Sequence, residues 1–240
     1  MVETPSAKGQ IIVTGANRGI GAAIARELDK RGYRVAGTSR SGDTVLGPGQ
    51  ACEVTDEASI ARAIAAIAKQ GPILGLVNNA GTYETSPSAK LSAAAFENTI
   101  RTNATSVLVA SREVFPHLKA AGGGLIVNIG SFFDKLGVAE NTAYCASKAA
   151  IGAITRCLAV EWAADKIRVM DVAPGYIETD LNRDFLRNDK IKSWLSKRIP
   201  VRRPGTPEEV AKVVGALFNE DIGFLTGETI YIDGGHGMNH

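Results

Sequence analysis

The opening thirty residues narrow the choice of fold sharply. Residues 10–15, QIIVTG, form a short apolar run rich in β-branched side chains that ends in glycine. That is the pattern of a strand buried on both faces. From Ile20 the apolar positions recur at Ile24 and Leu28, a helical spacing that lasts until Gly32. Gly15, Gly19 and Gly21 therefore fall on a strand-to-helix turn. Glycine there lets the backbone come close to a charged group, and the free N–H groups of the helix start can hold an anion such as a pyrophosphate.

The same alternation continues. Residues 34–40, RVAGTSR, read as the second strand. The following SGDTVLGPG contains Pro48 and glycines and is unfit for a helix. GQACEV predicts a third strand, with Glu53 and Val54 at its exit. Residues 56–70 carry Ile60, Ile64 and Ile67 at helical spacing, and ILGLVNNAG is a fourth strand. Residues 92–122 read as one long helix, LIVNIGS as a fifth strand, residues 142–163 as a helix and IRVMDVAPG as a sixth strand. Thr206, Pro207 and Glu209 form a capping box with proline at the first helical position, and GETIYIDGG is the last strand. Strands alternating with helices predict an α/β fold, a single doubly wound Rossmann-type parallel sheet of about seven strands with helices on both faces. No repeat or linker divides the chain, so residues 1–240 are expected to form one domain. The polar stretch at about 176–204 is the expected lid-like insertion.

Composition excludes several function classes. The net charge is +2 with no Lys/Arg run of five or more, which argues against a nucleic-acid face. No apolar run approaches the ~18 residues of a membrane span, and the first ten residues lack an apolar signal core. Cys52, Cys145 and Cys157 are odd in number and scattered, which fits a reducing cytoplasm and gives no metal site.

The chemistry concentrates in residues 131–148, SFFDKLGVAENTAYCASK. Tyr144 and Lys148 are four apart, one helical turn. A phenol, with a reference pKa of about 10, is a poor proton donor or acceptor at neutral pH. An ammonium one turn away is expected to lower that pKa and tune the group for acid–base work on a carbonyl or alcohol. Ser131 ends a strand and would bring a hydroxyl to the sheet rim.

TGANRGIG at 14–21, NNAG at 78–81, Asn103, Ser131, the Tyr144/Lys148 pair and Pro174–Gly175 follow one another in an order that resembles the short-chain dehydrogenase/reductase family, over about residues 10–235. The resemblance implies hydride transfer between a nicotinamide cofactor and a ketone or secondary alcohol. It implies that Tyr144 protonates the carbonyl oxygen, Ser131 donates a hydrogen bond to it, Lys148 lowers the tyrosine pKa and holds the nicotinamide ribose, and Asn103 bends its helix and holds a water near the lysine. By the same implication Gly15, Asn17, Arg18, Gly19, Ile20 and Gly21 hold the pyrophosphate. Glu53 and Val54 stand at the adenine edge, where the family usually has Asp, so the Glu53 side-chain contact is in question. Asn79, Ala80 and Gly81 line the adenosine ribose, and Pro174, Gly175, Ile177 and Thr179 meet the nicotinamide. A homotetramer is implied as well, and the small residues of the helix from Thr142 agree with close helix packing.

The end of the second strand selects the cofactor. An acid there would accept from a ribose 2′-hydroxyl and repel a 2′-phosphate. The chain has Ser39 and Arg40 instead, no acid until Asp43, and Arg18 in the first turn. These suit a phosphate, so NADP(H) is expected over NAD(H). Within the family, PGYIETDL, GTPEEVA and FLTGETIYIDGG resemble the 3-oxoacyl-(acyl-carrier-protein) reductases. The arginines with which those enzymes dock the acidic carrier are replaced by AAGGG and by Ala164–Asp165. The expected substrate is therefore a small ketone or an acyl thioester, with no nucleic-acid or membrane partner. A protein that binds NADP(H) as a sensor without turnover is the alternative, and it would be marked by loss of a catalytic residue.

Overall fold

The protein is described by a computed structural model covering residues 8–179, 188–219 and 222–238. Seven parallel strands form the central sheet: β1 (Lys8–Thr14), β2 (Tyr33–Ser39), β5 (Gln50–Ala51), β6 (Ile73–Asn78), β7 (Gly124–Ile129), β8 (Ile167–Pro174) and β9 (Thr229–Ile232). Their order is β5-β2-β1-β6-β7-β8-β9. The chain runs outward from β1 to one edge, then returns to lay β6 on the other side of β1. That reversal opens a crevice at the carboxyl ends of β1 and β6, where ligands bind in open α/β sheets.

Strand periodicity explains the two layers of helices. Ile11 and Val13 enter one core, shared with Ile24 and Leu28 of α1 (Gly19–Lys30) and Val210 and Val214 of α7 (Pro207–Asn219). Ile12, between them, enters the opposite core, with Ile60 and Ile64 of α2 (Glu57–Ala68), Val114 and Leu118 of α4 (Ser106–Ala120) and Leu158 of α5 (Thr142–Trp162). Alternate residues point to opposite faces, and both faces are apolar because both are covered.

Two expectations are corrected. The third strand is only Gln50–Ala51, paired with Thr38 and Ser39, and not the whole of 49–54. A two-stranded hairpin, β3 (Asp43–Thr44) and β4 (Gly47–Pro48), fills the place of a helix, with the Val45 amide donating to Ala16 O at 3.3 Å. So short a link reaches the sheet edge with few residues left to pair. The helix expected over 92–122 is broken: α3 (Ala93–Ile100) passes through a π turn at Arg101–Thr105 before α4 begins. Asn103 lies in that turn, and such bulges place an extra residue where a site needs it. Residues 180–187 of the lid-like insertion lie outside the described residues; beyond them α6 (Asp189–Arg198) leads to Gly205, which bridges to Ile177. Among the described residues no helix is long and apolar enough to cross a membrane.

The capping box forms as read. The Thr206 amide donates to Glu209 Oε2 at 2.9 Å and the Glu209 amide to Thr206 Oγ1 at 3.3 Å. Thr206→Ala is expected to cost about 1 kcal/mol of stability, measured as a lower denaturation midpoint with unchanged slope.

One lateral row departs from the apolar pattern. Asn78, Asn128, Asp171 and Thr229 are register partners across β6, β7, β8 and β9. Asn78 Nδ2 donates to Asn128 Oδ1 at 2.9 Å and to Ser111 Oγ at 3.1 Å, and Asn128 Nδ2 donates to Thr155 Oγ1 at 2.9 Å. Thr229 Oγ1 donates to Asp171 Oδ2 at 3.1 Å. Each amide in the row is thereby satisfied, as burial requires.

Candidate active site

The crevice at the strand ends gathers residues from the whole chain. Gly15, with φ +68°, and Gly19, with φ +55°, turn the chain from β1 into α1 in backbone conformations that favour glycine. A Cβ on Gly21 would stand 2.3 Å from Gly15 O, so the helix start sits tightly on the strand end. Arg18 takes the N-cap position without a side-chain bond to the helix. The nearest atom to a Cβ placed on Gly19 is Thr179 Cγ2, 3.8 Å away. An uncapped helix N-terminus facing a narrow open space is a cradle for an anion, and the residues present fit the pyrophosphate of a dinucleotide.

Asn79 holds the crevice together. Its Nδ2 donates to Thr14 O at 2.9 Å and Gly15 O at 3.3 Å, while the Asn79 and Ala80 amides donate to Thr14 Oγ1 at 2.9 and 3.0 Å. Side chain and amide are both spent on joining the ends of β1 and β6. Glu53 is likewise engaged: Oε1 accepts from the Thr55 amide at 3.0 Å and from Thr55 Oγ1 at 2.8 Å. Those bonds, with a smaller contribution from Arg40, hold its carboxyl below the usual range. Val54 is half-buried beside it. Arg18 and Arg40 are exposed, and among the described residues neither forms a contact ion pair. Ser39 is buried, and its Oγ accepts from the Gly42 amide at 3.0 Å.

The candidate reacting groups meet where β7 and α5 converge. Ser131 follows β7, caps a short turn and accepts from the Phe133 amide at 3.3 Å. Its hydroxyl lies beside the Tyr144 phenol and favours the phenolate. Lys148 is buried at 7% exposure and donates through Nζ to Ile129 O at 2.8 Å, with Nζ 5.6 Å from the Tyr144 ring centre. Asn103 accepts from the Thr82 amide at 2.8 Å and donates to Thr82 O and to Ser147 Oγ, each at 3.0 Å. Ser147 in turn donates to Tyr144 O at 2.7 Å, tying the π turn to the helix that carries Tyr144 and Lys148. Pro174 ends β8, Gly175 donates to Ile232 O at 3.0 Å, and Ile177 is buried below Thr179.

The expected lowering of the Tyr144 pKa is not what the site produces. Burial pushes the phenol up to about 12, against the hydrogen bond from Ser131. Burial also brings Lys148 down to about 8, against the attraction of Asp171. Desolvation dominates at both groups, and the lysine ammonium is directed at the Ile129 carbonyl. Cys145 beside the tyrosine is raised by burial too, so it is a packed thiol.

A family model of the short-chain dehydrogenases, described as Enoyl-(Acyl carrier protein) reductase, matches residues 15–237. The chain belongs to the short-chain dehydrogenase/reductase family. It is 36% identical over 238 residues to a 3-oxoacyl-(acyl-carrier-protein) reductase of Mycobacterium tuberculosis, covering 98% of this chain and 96% of that one. It is 35% identical over 242 residues to cis-4-hydroxycyclohexanecarboxylate dehydrogenase of Sinomonas cyclohexanicum, covering 94% and 95%. Among solved structures, Thermoplasma acidophilum aldohexose dehydrogenase in ligand-free form superposes with a TM-score of 0.90 at 30% identity, covering 97% of this chain and 95% of that one. A variant of actinorhodin polyketide ketoreductase with NADPH gives 0.88 at 30%, covering 96% and 97%. Short-chain dehydrogenase/reductases bind a nicotinamide cofactor, and the protein is an oxidoreductase of that family. A 3-oxoacyl-(acyl-carrier-protein) reductase at 36% and a cis-4-hydroxycyclohexanecarboxylate dehydrogenase at 35% differ in name and substrate, so identity alone selects neither.

The family motifs leave out the groups around the phenol. Tyr83 stands edge-on to Tyr144 at 4.9 Å and Phe133 at 5.9 Å. Behind them Tyr176 contacts Phe132 at 5.4 Å, Trp194 at 6.0 Å and stacks on His236 at 5.7 Å. These rings come from five separate stretches of chain, so no sequence spacing joins them. Asp171, 1% exposed, was also missed, since one acid inside an apolar strand pattern gives no signal of its role.

A substitution tests the cradle. Gly21→Ala drives a methyl into Gly15 O and is expected to weaken NADPH binding at least tenfold; a fluorescence titration that matches the unaltered protein would refute it.

Proposed function

We propose that the protein is an NADP(H)-dependent carbonyl reductase acting on small, flat, apolar ketones, with Ser131, Tyr144, Lys148 and Asn103 as its working residues. The observation that carries this reading is the geometry: Tyr144 lies beside Ser131 and Lys148 in a wall of aromatic rings, with burial favouring the neutral phenol. A phenol held protonated is a proton donor, the role that reduction of a carbonyl needs.

The nicotinamide supplies the hydride to the carbonyl carbon when bound. Ser131 donates to the carbonyl oxygen and Tyr144 gives that oxygen its proton, so the product is an alcohol and the tyrosine is left as phenolate. The Lys148 cation offsets that charge, which exists only as the reaction proceeds, and so stabilises the transition state more than the ground state. Asn103 fixes the helix pair through Thr82 and Ser147. The Tyr83 and Phe133 rings exclude water and favour an apolar, ring-bearing ketone over a charged one. Arg18, Ser39 and Arg40 meet the 2′-phosphate.

NADPH oxidation with a panel of aryl and cyclic ketones, set against acetoacetyl-coenzyme A and a carrier-bound 3-oxoacyl chain, tests the reading. Turnover of the ring ketones is expected. NADPH that is bound but never consumed with any of them would refute it in favour of a sensor.

We further propose one catalytic domain over the whole chain, with residues 176–204 as its lid, assembled as a homotetramer. Leu108 on α4 and Val160 on α5 are 44% and 81% exposed, apolar surface suited to a symmetric contact. Light scattering is expected to give a multiple of the 25.2 kDa chain mass. A monomer at micromolar concentration would overturn it.

A further inference from the structure

Asp171 is a carboxylate inside the sheet for which the reaction as described has no use. It is 1% exposed, on β8, below the Ser131–Tyr144–Lys148 group. Oδ2 accepts from Thr229 Oγ1 at 3.1 Å, while buried Oδ1 has only the Gly130 backbone beside it. A buried acid so sparsely hydrogen-bonded is costly, and an apolar or amide side chain would continue the row of Asn78 and Asn128 without that cost. Its surroundings show what it faces. A Cβ on Gly130 would stand 2.4 Å from Oδ1, so the carboxylate lies directly against Gly130. The other side of the same peptide is Ile129 O, which accepts from Lys148 Nζ at 2.8 Å. One peptide unit therefore separates a buried anion from a buried cation.

We propose that Asp171 is a positioning residue of the reaction: across the Ile129–Gly130 peptide it supplies the countercharge that keeps the Lys148 ammonium protonated and oriented in a dehydrated site. The inference rests on the role given to Lys148 above. Arg156 of α5 and Lys135 stand beside Tyr231, at the far side of Asp171. Tyr144 faces Lys148 from the same helix, and Asp134, in the turn after β7, repels Asp171 and accepts from the Tyr231 hydroxyl of β9 at 2.7 Å. Burial raises Asp171 to about 6 and lowers Lys148 to about 8. Between those values both are ionised. Below about 6 Asp171 takes a proton, but Lys148 keeps its own. Above about 8 the lysine loses its charge, so the countercharge acts on the alkaline limit of activity.

Asp171→Asn keeps the shape and the row of hydrogen bonds but removes the charge. Its alkaline limit, read both as kcat/KM for a ketone and as NADPH affinity by fluorescence, is expected to fall by about one pH unit, the low end for an opposite charge near a titrating group. At pH 8 that is roughly a fivefold loss of kcat/KM, with little change at pH 6. Thr229→Val keeps the charge and removes its hydrogen bond, and should leave the alkaline limit in place. Superimposable profiles for Asp171→Asn and the unaltered protein overturn the proposal. So does an equal loss at every pH, or a Thr229→Val shift as large as that of Asp171→Asn, since either marks a role in packing alone. Asp171→Ser is the substitute if the Asn variant does not fold, and the Thr229→Val comparison refutes or supports independently of both. An unaltered protein that binds NADPH but reduces no ketone would instead sink the carbonyl-reductase reading, and the affinity profiles would still test Asp171.

Discussion

Tyr144→Phe is expected to lower kcat for ketone reduction by at least about a hundredfold, the low end for removal of a general acid, and to leave NADPH affinity nearly unchanged. The substitution keeps the ring, so the edge-on contacts with Tyr83 at 4.9 Å and Phe133 at 5.9 Å survive. What disappears is the hydroxyl that lies beside Ser131 and carries the proton. The ring packing is kept and Ser131 still accepts from the Phe133 amide, so the thermal midpoint should stay within a few degrees. Reduction and oxidation should also respond differently to pH in the unaltered enzyme. With its pKa pushed up to about 12, the phenol is a ready donor at neutral pH, while the phenolate needed to accept a proton from an alcohol is scarce. Oxidation is therefore expected to be the slower direction at pH 7. A Phe variant that keeps most of its activity would place the proton donor elsewhere.

The second large effect concerns the cofactor. NADPH is expected to bind more tightly than NADH by roughly one to three powers of ten, because each charge-assisted bond to the 2′-phosphate contributes about 1.5–3 kcal/mol before discounting for exposure. Arg18 and Arg40 are both exposed and form no contact ion pair among the described residues; they stand just before α1 and just after β2. The combination of Ser39→Asp and Arg40→Leu should reverse the preference. The new carboxylate can accept from the Gly42 amide as Ser39 does now at 3.0 Å, and it would then repel a phosphate while accepting from a 2′-hydroxyl. The comparison is kcat/KM for both cofactors with one ketone. An unaltered enzyme that prefers NADH would point to Asp43, exposed on the hairpin after β2, as the ribose partner.

Much of this was legible because it is local. The Gly15–Gly21 turn, the Thr206–Glu209 capping box and the Tyr144/Lys148 spacing each need only a few neighbouring residues, and each forms as read. The shortened third strand was half legible: Pro48 and the glycines excluded a helix, but not the hairpin whose Val45 amide reaches Ala16 O at 3.3 Å. The break in the long helix at Arg101–Thr105 was not, because Asn103 earns its π turn from Thr82 and Ser147, both far along the chain.

The sequence by itself determined the alternating strands and helices, the glycine turn and the candidate reacting side chains, since periodicity, capping and residue chemistry are properties of short segments. Only the tertiary structure decided how those side chains titrate and what surrounds them. Burial is collective: it raises Tyr144 and lowers Lys148 against the local expectation from their spacing. The aromatic wall and the carboxylate of Asp171 beneath the lysine likewise exist only once strands distant in sequence are neighbours in the sheet.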